Sequence, residues 1–262
     1  MKSNLNNTPL LHYIEQYWNS RTEGYSIVNT NELDSPQKNL WLDIIKKNTP
    51  SINNGQIKVL DIGTGPGFFS ILSSILEYDV TSIDFTQSML DKAKINSKIY
   101  LNSSSNKIKF IKMNAQNLDF KDETFDLILS RNLTWNLENP SKAYSEWFRV
   151  LKEGGRLINF DANWYLHLFN KEKRKAYEND RKNVEENNFS DHYTCTNISE
   201  MEQIAMKLPL SKIERPLWDK KILSKLGFKS INITQNIGEL LWSDEEKINY
   251  KSTPMFMLVC EK

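Results

Sequence analysis

The sequence predicts an α/β fold in which one mostly parallel sheet of seven strands carries helices on both faces and ends in an antiparallel strand. Three observations carry this reading. From residue 57 to residue 160, short apolar runs alternate with stretches of helical spacing, and such alternation means parallel strands joined by crossover helices. The run Val59-Leu60-Asp61-Ile62-Gly63-Thr64-Gly65-Pro66-Gly67-Phe68-Phe69 joins a buried strand to a helix through three alternate glycines. The last two apolar segments, near 228–235 and at 255–260, show no helix between them. They imply a hairpin, and hence an antiparallel final strand.

Taken in order, Leu10, Leu11, Ile14, Tyr17, Trp18 and Arg21 fall on one face of a first helix, after Thr8-Pro9 as its start signal. A second helix starts at Asp34 or Ser35, with Pro36 in its first turn, and carries Leu40, Trp41, Ile44 and Ile45. Strands then follow at 57–62, 80–84, 108–112, 125–130 and 155–160, with helices at 67–78, 87–97 and 140–151. After Phe160 the rhythm breaks. Residues 161–215 hold no clear strand, and 171–188 is a charge run that reads as a solvated helix face. Ser199-Glu200-Met201-Glu202 reads as a capping box. A helix at 217–226, stopped by Gly227, returns the chain to the sheet. The organisation is thus an N-terminal helical segment (1–50), an α/β domain (51–160 and 216–262) and an inserted helical cap (161–215).

With 34 basic and 33 acidic residues, the chain has no general affinity for nucleic acid or for an anionic membrane surface. No apolar run approaches the roughly 20 residues of a membrane span. The opening Met1-Lys2-Ser3-Asn4 leads into no apolar signal core, and Cys195 and Cys260 stand far apart. Cytoplasmic localisation with reduced thiols is expected, as a monomer or homodimer.

The glycine corner suits two ligand classes, dinucleotides and S-adenosylmethionine, because bare backbone N–H groups and a helix N-terminus face the ligand. A dinucleotide fingerprint begun at Gly63 would need glycine where Phe68 stands. Asp61, two residues before the first glycine, would repel a pyrophosphate, whereas S-adenosylmethionine carries an ammonium and a sulfonium and no phosphate. Asp84 ends the second strand where a carboxylate can accept both ribose hydroxyls. At these residues the sequence resembles the class I S-adenosylmethionine-dependent methyltransferases. Asp61-x-Gly63-x-Gly65-x-Gly67 is similar to their first motif, and Asp84-Phe85 with Ser88-Met89-Leu90 to their second. Met113-Asn114-Ala115-Gln116 is similar to the segment that lines the adenine, with Asn114 where the family often has an acid. The likeness runs on through Phe125–Arg131 and Arg149–Gly155. It implies a Rossmann-like fold and S-adenosyl-L-methionine as cofactor, with S-adenosyl-L-homocysteine as product. Ser130 and Arg131, at the end of the fourth strand, join the cofactor candidates. Tyr17, Arg21 and Tyr25 resemble a lid that contacts the methionine end in small-molecule members.

Methyl transfer from a sulfonium requires alignment and exclusion of water more than a catalytic triad. The acceptor is expected over the ends of the fourth and fifth strands, beside Asn132, Trp135, Asn163, Trp164 and Tyr165, with His192 reaching in from the cap. Asp161 is the candidate base or acceptor anchor, and Arg131 faces either the donor's carboxylate or the acceptor. No metal-ligand spacing is present. A small-molecule acceptor methylated at O, N or S is the leading expectation. An RNA or protein methyltransferase, an NAD-binding oxidoreductase and a non-catalytic binding module are the alternatives. The tetrapeptide of amino-methylating nucleic-acid enzymes is missing where Ser130-Arg131-Asn132-Leu133 stands.

Overall fold

A computed structural model of the chain describes residues 9–52, 55–102, 107–192 and 197–262. Seven strands form one sheet in the order β3-β2-β1-β4-β5-β7-β6: β1 (Lys58–Ile62), β2 (Asp79–Asp84), β3 (Lys109–Lys112), β4 (Phe125–Arg131), β5 (Leu151–Asp161), β6 (Ser230–Thr234) and β7 (Phe256–Glu261). The first five run parallel, while β7 lies antiparallel between β5 and β6. The strand order reverses between β1 and β4, so the crevice for a ligand opens at their carboxyl ends.

Side chains alternate along the central strands and sort into two cores. Val59, Leu127, Leu129, Ile158 and Phe160 face one way, under α2 (Gln37–Asn48) and α3 (Phe68–Ile75). Leu60, Ile62, Ile128, Leu157 and Leu258 face the other way, under α5 (Pro140–Val150) and α8 (Leu217–Leu226). Trp41 of α2 is fully buried and meets Phe68, Phe69 and Phe160 edge-on, with ring centroids 4.9–5.6 Å apart. Within the first 50 residues, therefore, α2 belongs to the core of the sheet.

Helix α1 runs from Leu10 to Leu33, a dozen residues beyond the apolar pattern that announced it. Its second half buries a polar stripe instead: Thr22, Ser26, Asn29 and Glu32. These bind across to α4 (Gln87–Leu101) and to β4, with Thr22 hydroxyl on Ser88 at 2.7 Å and Asn96 donating to Ser26 at 3.0 Å. Helical spacing persists, but in a polarity that hydrophobic periodicity does not register.

The connection from β6 to β7 is not the tight hairpin expected. It carries α9 (Gly238–Leu241) and α10 (Asp244–Asn249), the latter opened by a Ser243–Glu246 capping box. Helices this short fall below the window in which a period can be read. Between β5 and α8, the cap holds α6 (Lys171–Glu186) and α7 (Ile198–Ala205), and no strand among the described residues. The cap of α7 is Asn197, which accepts from Glu200 N, rather than Ser199. Ile14, Tyr17, Trp135, Met201, Ile204 and Leu208 form a third small core that joins α1 to α7.

Candidate active site

At the end of β1 the backbone turns through Gly63, Gly65 and Gly67, all at positive φ. A Cβ on Gly63 would lie 2.8 Å from the Leu133 side chain, so close approach and conformation both require glycine there. The turn is pinned to β2 by Gly63 N and Thr64 N, which donate to Ile83 O at 2.9 and 3.0 Å. Asp84 completes the clamp: one carboxylate oxygen accepts from Gly65 N at 2.9 Å and the other from Thr86 N at 2.8 Å. The Thr86 hydroxyl and the Phe85 backbone also bond to this carboxylate, and the side chain remains partly exposed to the crevice. Burial raises the Asp84 pKa, against the backbone donors that lower it.

A cavity of about 790 Å³ opens over this turn. Ile83, Phe85, Met89 and Met113 give it an apolar slot, and Asn114, Ala115 and Gln116 close one end. From above, α1 lays Trp18 and Tyr25 across it, and a Cβ on Gly65 would stand 3.5 Å from the Tyr25 ring. Helix α1 is tied down at its underside, where Asn96 donates both to Ser26 and to Pro66 O of the glycine turn. Ser88 donates to Asn19 at 2.7 Å, and Lys92 pairs with Glu23 at 2.6 Å.

A second cavity, of about 840 Å³, shares Trp18, Tyr25 and Asn132 with the first. Its walls are rings: Tyr17 from α1, Trp135 after β4, Trp164 and Tyr165 after β5, and Tyr250 after α10. Trp135 lies 5.0 Å from Tyr165, and Trp164 meets Tyr250 edge-on at 5.3 Å. Asn132, at φ 55°, turns the chain so that its carbonyl accepts from Trp135 Nε1 at 2.9 Å. Arg21 and His192 stand at the rim, and no carboxylate lines this cavity among the described residues.

The family described as methyltransferase domain matches residues 60–159 of this sequence. The demethylmenaquinone methyltransferase of Leptospira interrogans is 31% identical over 127 residues, covering 47% of this chain and 50% of that protein. The ubiquinone/menaquinone biosynthesis C-methyltransferase of Bartonella bacilliformis is 38% identical over 104 residues, covering 38% of this chain and 39% of that protein. The chain thus spans half or less of the length of these curated relatives. Among solved structures, the geranyl diphosphate C-methyltransferase of Streptomyces coelicolor superposes with a TM-score of 0.65 at 13% identity, covering 97% of this chain and 98% of that one. Phosphoethanolamine N-methyltransferase 2 of Haemonchus contortus gives 0.65 at 16% identity, covering 98% of this chain and 60% of that one. Residues 60–159 thus carry a methyltransferase domain, and the whole chain shares its fold with solved methyltransferases.

Of the residues expected at the cofactor site, Tyr25, Gly63, Gly65, Asp84, Phe85, Met89, Asn114, Ala115, Gln116 and Arg131 line the first cavity. Tyr17 and Arg21 do not; both line the second. Gly67 sits behind the turn, where a Cβ would meet Ala93 at 3.1 Å. Ser130 is buried in the sheet and donates to Ile62 O at 3.2 Å. Asn114 is placed as expected but its amide oxygen is already used, accepting from Gln116 N and Nε2 at 2.9 and 3.2 Å. Only its Nδ2 is left to meet a base.

Three charged residues depart further from expectation. Arg131 does not project its guanidinium freely into either cavity. It pairs with Glu32 at 2.7 Å and stacks over Phe68 at 4.0 Å, so its charge is balanced within the protein. Asp161 is fully buried and lines neither cavity. It accepts from Trp135 N, Ala162 N, Trp164 Nε1 and Arg215 Nη1 at 2.5–3.2 Å, which leaves no lone pair for a substrate proton. It ties Trp135, Trp164 and Arg215 together at the end of β5. Asn163 likewise spends its amide on the Arg215 backbone, accepting at 2.9 Å and donating at 3.0 Å. Arg215 lies 54 residues beyond Asp161, and no local pattern announces the pairing. Trp18 and Tyr250 were not among the expected site residues. Trp18 stands beside Tyr17 in the lid run, whereas Tyr250 comes from a connection with no sequence signal.

Asp61 lines neither of the two large cavities but a small recess with Tyr25, Gly63, Thr64 and Arg131. It is 2% exposed and accepts from Thr64 Oγ1 at 2.6 Å and Ser70 Oγ at 2.7 Å. Burial pushes its pKa from 3.8 up to about 6, against these two donors. A carboxyl that binds its proton more tightly folded than unfolded favours the folded state below its unfolded pKa, and that contribution disappears as pH rises through about 6. The shift corresponds to about 3 kcal/mol. Denaturant unfolding of the native chain and Asp61→Asn is therefore expected to show the native chain losing about 3 kcal/mol relative to the variant as pH rises from the acid side of this window to neutrality. A pH-independent gap would show that folding leaves the Asp61 pKa unchanged.

Proposed function

We propose that this chain transfers a methyl group from S-adenosylmethionine, held in the first cavity, to a small ring-bearing acceptor in the second. The observation that carries the reading is the junction of the two cavities at Trp18, Tyr25 and Asn132, directly over the glycine turn. The first cavity fits the donor: Asp84 offers a partly exposed carboxylate for ribose hydroxyls, and the slot of Ile83, Phe85, Met89 and Met113 suits a flat base. S-adenosylmethionine brings an activated methyl on a sulfonium, whose departure needs no acid from the protein. What the protein contributes is alignment and dryness. The lid residues Trp18 and Tyr25 exclude water from the junction, and the rings of Trp135, Trp164 and Tyr165 orient a flat acceptor.

In this reading the first half of α1 is the lid and residues 161–215 are the cap of the acceptor site, supported by the placement of Trp164, Tyr165 and His192. A near-neutral charge favours a small molecule over nucleic acid. The names of the curated relatives, quinone-precursor methyltransferases, agree with a ring-bearing acceptor. A cytoplasmic setting accords with a buried, unpaired Cys260, and no helix among the described residues is long and apolar enough to cross a membrane. Calorimetric titration with S-adenosylmethionine, S-adenosylhomocysteine and NAD tests the donor assignment. Binding of both adenosyl ligands and not NAD is expected. Binding of NAD alone would overturn it.

A further inference from the structure

We infer that Tyr250, His192 and Glu245 form a proton relay in the acceptor wall, and that the acceptor is an aromatic molecule methylated at a hydroxyl group. The inference rests on the methyltransferase reading above. His192 Nε2 lies 3.0 Å from Glu245 Oε1, and its Nδ1 lies 3.0 Å from Tyr250 Oη. A carboxylate only accepts, so the hydrogen of the neutral ring sits on Nε2, and Nδ1 faces the tyrosine hydroxyl as an acceptor. A carboxylate behind an imidazole in this way fixes its tautomer and ring orientation.

The arrangement is built rather than incidental. Asn249, 1% exposed, accepts from His192 N at 3.1 Å and donates to Ser190 O at 3.0 Å, pinning the histidine's backbone to α10. The Ser243–Glu246 capping box sets the first turn of α10, which carries Glu245. Tyr250 and His192 both line the acceptor cavity. His192 also lines a separate cleft of about 540 Å³ with Glu32, Glu245 and Glu246. The imidazole thus stands between the acceptor and an acidic cleft through which a proton can leave. Charged groups near it among the described residues include the Arg181–Asp191 pair beside Asn249 and Arg21 across the cavity. Neither element of the relay is needed for a methylation that releases no proton.

The step balances as follows. A lone pair of the acceptor oxygen forms the bond to the methyl carbon, and the carbon–sulfur pair returns to sulfur, neutralising the sulfonium. The hydroxyl proton passes to Tyr250 Oη as the proton of Tyr250 passes to His192 Nδ1. The resulting imidazolium, paired with Glu245, gives its proton to water in the outer cleft. Tyr250 is the group that meets the acceptor, His192 takes the proton, and Glu245 positions His192.

The test uses the full chain, its His192→Gln, Tyr250→Phe and Glu245→Gln variants, and phenols of graded acidity that include 4-nitrophenol. S-adenosylhomocysteine affinity is expected to be unchanged in all three, since none lines the donor cavity. With that product bound, the native chain is expected to raise the visible phenolate band of 4-nitrophenol below its own ionisation, and His192→Gln to abolish the rise. Methyl transfer to phenols is expected to fall about 100-fold in His192→Gln, the range of a lost general base. The deficit shrinks for more acidic phenols, and Glu245→Gln shifts the acid limb of the pH–rate profile. Native rates and an unchanged profile in His192→Gln would overturn the relay. A chain that binds the donor yet methylates no phenol would overturn the acceptor class. Loss of donor binding by the native chain would instead refute the methyltransferase reading itself.

Discussion

Arg215→Met is expected to lower the stability of the fold by about 3–5 kcal/mol, the cost of leaving buried charge unpaired, as measured by denaturant unfolding. The guanidinium is 4% exposed and bridges two carboxylates that are fully buried. Its Nη1 donates to Asp161 at 2.5 Å, while Nε and Nη2 donate to Asp219 at 2.6–3.1 Å. Tyr144 adds a bond to Asp219 at 2.6 Å, and its own hydroxyl pKa is raised well above the ordinary value by burial first and by Asp219 next. Burial also raises the Asp161 pKa, and Arg215 is the main influence that opposes it. Removing the arginine leaves two acids with no cation, and both are then expected to take up protons. Adding Asp161→Asn and Asp219→Asn to Arg215→Met is expected to recover part of the loss, because the uncompensated charge disappears. A triple variant no more stable than Arg215→Met would place the loss in packing, where Arg215 stacks 5.0 Å over Phe256.

The same cluster revises what Asp161→Asn does. An acid at the carboxyl end of a strand reads as a base facing a substrate, and Asp161 does end β5. Its four donors, however, come from residues 135, 162, 164 and 215. Asp161→Asn is therefore expected to weaken the fold and disorder Trp135 and Trp164, with acceptor turnover lost as a consequence.

This contrast shows what a linear sequence discloses. The glycine turn, Asp84 and the strand ends were legible because their conformations and neighbours are set within a few residues, or by one crossover between adjacent strands. The seven strands were legible because the central ones are continuous apolar runs. Helix α1 was only half legible, since Thr22, Ser26, Asn29 and Glu32 bury polarity where a pattern search looks for apolar side chains. The acceptor wall was least legible. His192, Glu245 and Tyr250 meet from two connections whose paths depend on the Asn249 and Ser243 contacts, and neither carries a period or a motif.

The other large effect is expected at Asp84, and there the isosteric change is no gentler than truncation. Both carboxylate oxygens accept backbone N–H bonds, from Gly65 and from Thr86. In Asp84→Asn one of these donors must face an amide NH₂, so the glycine turn loses a clamp at the moment the ribose loses an acceptor. Asp84→Ala removes both bonds outright. Either change is expected to weaken S-adenosylhomocysteine binding by roughly 2–3 kcal/mol, the scale of lost charge-assisted bonds, or about 30- to 150-fold in Kd by calorimetry. The raised Asp84 pKa gives the pH dependence its sign: affinity falls on acidification as the carboxyl is protonated, and Asp84→Ala removes that limb of the profile. Thr86 meets this carboxylate with its backbone N–H and its hydroxyl, so Thr86→Ala, which keeps the backbone donor, is expected to weaken binding less than either Asp84 change. Unchanged affinity in Asp84→Asn would mean that the ribose is held elsewhere in the first cavity, and the donor would then have to lie along Asn114 and Gln116 rather than across the ends of β1 and β2.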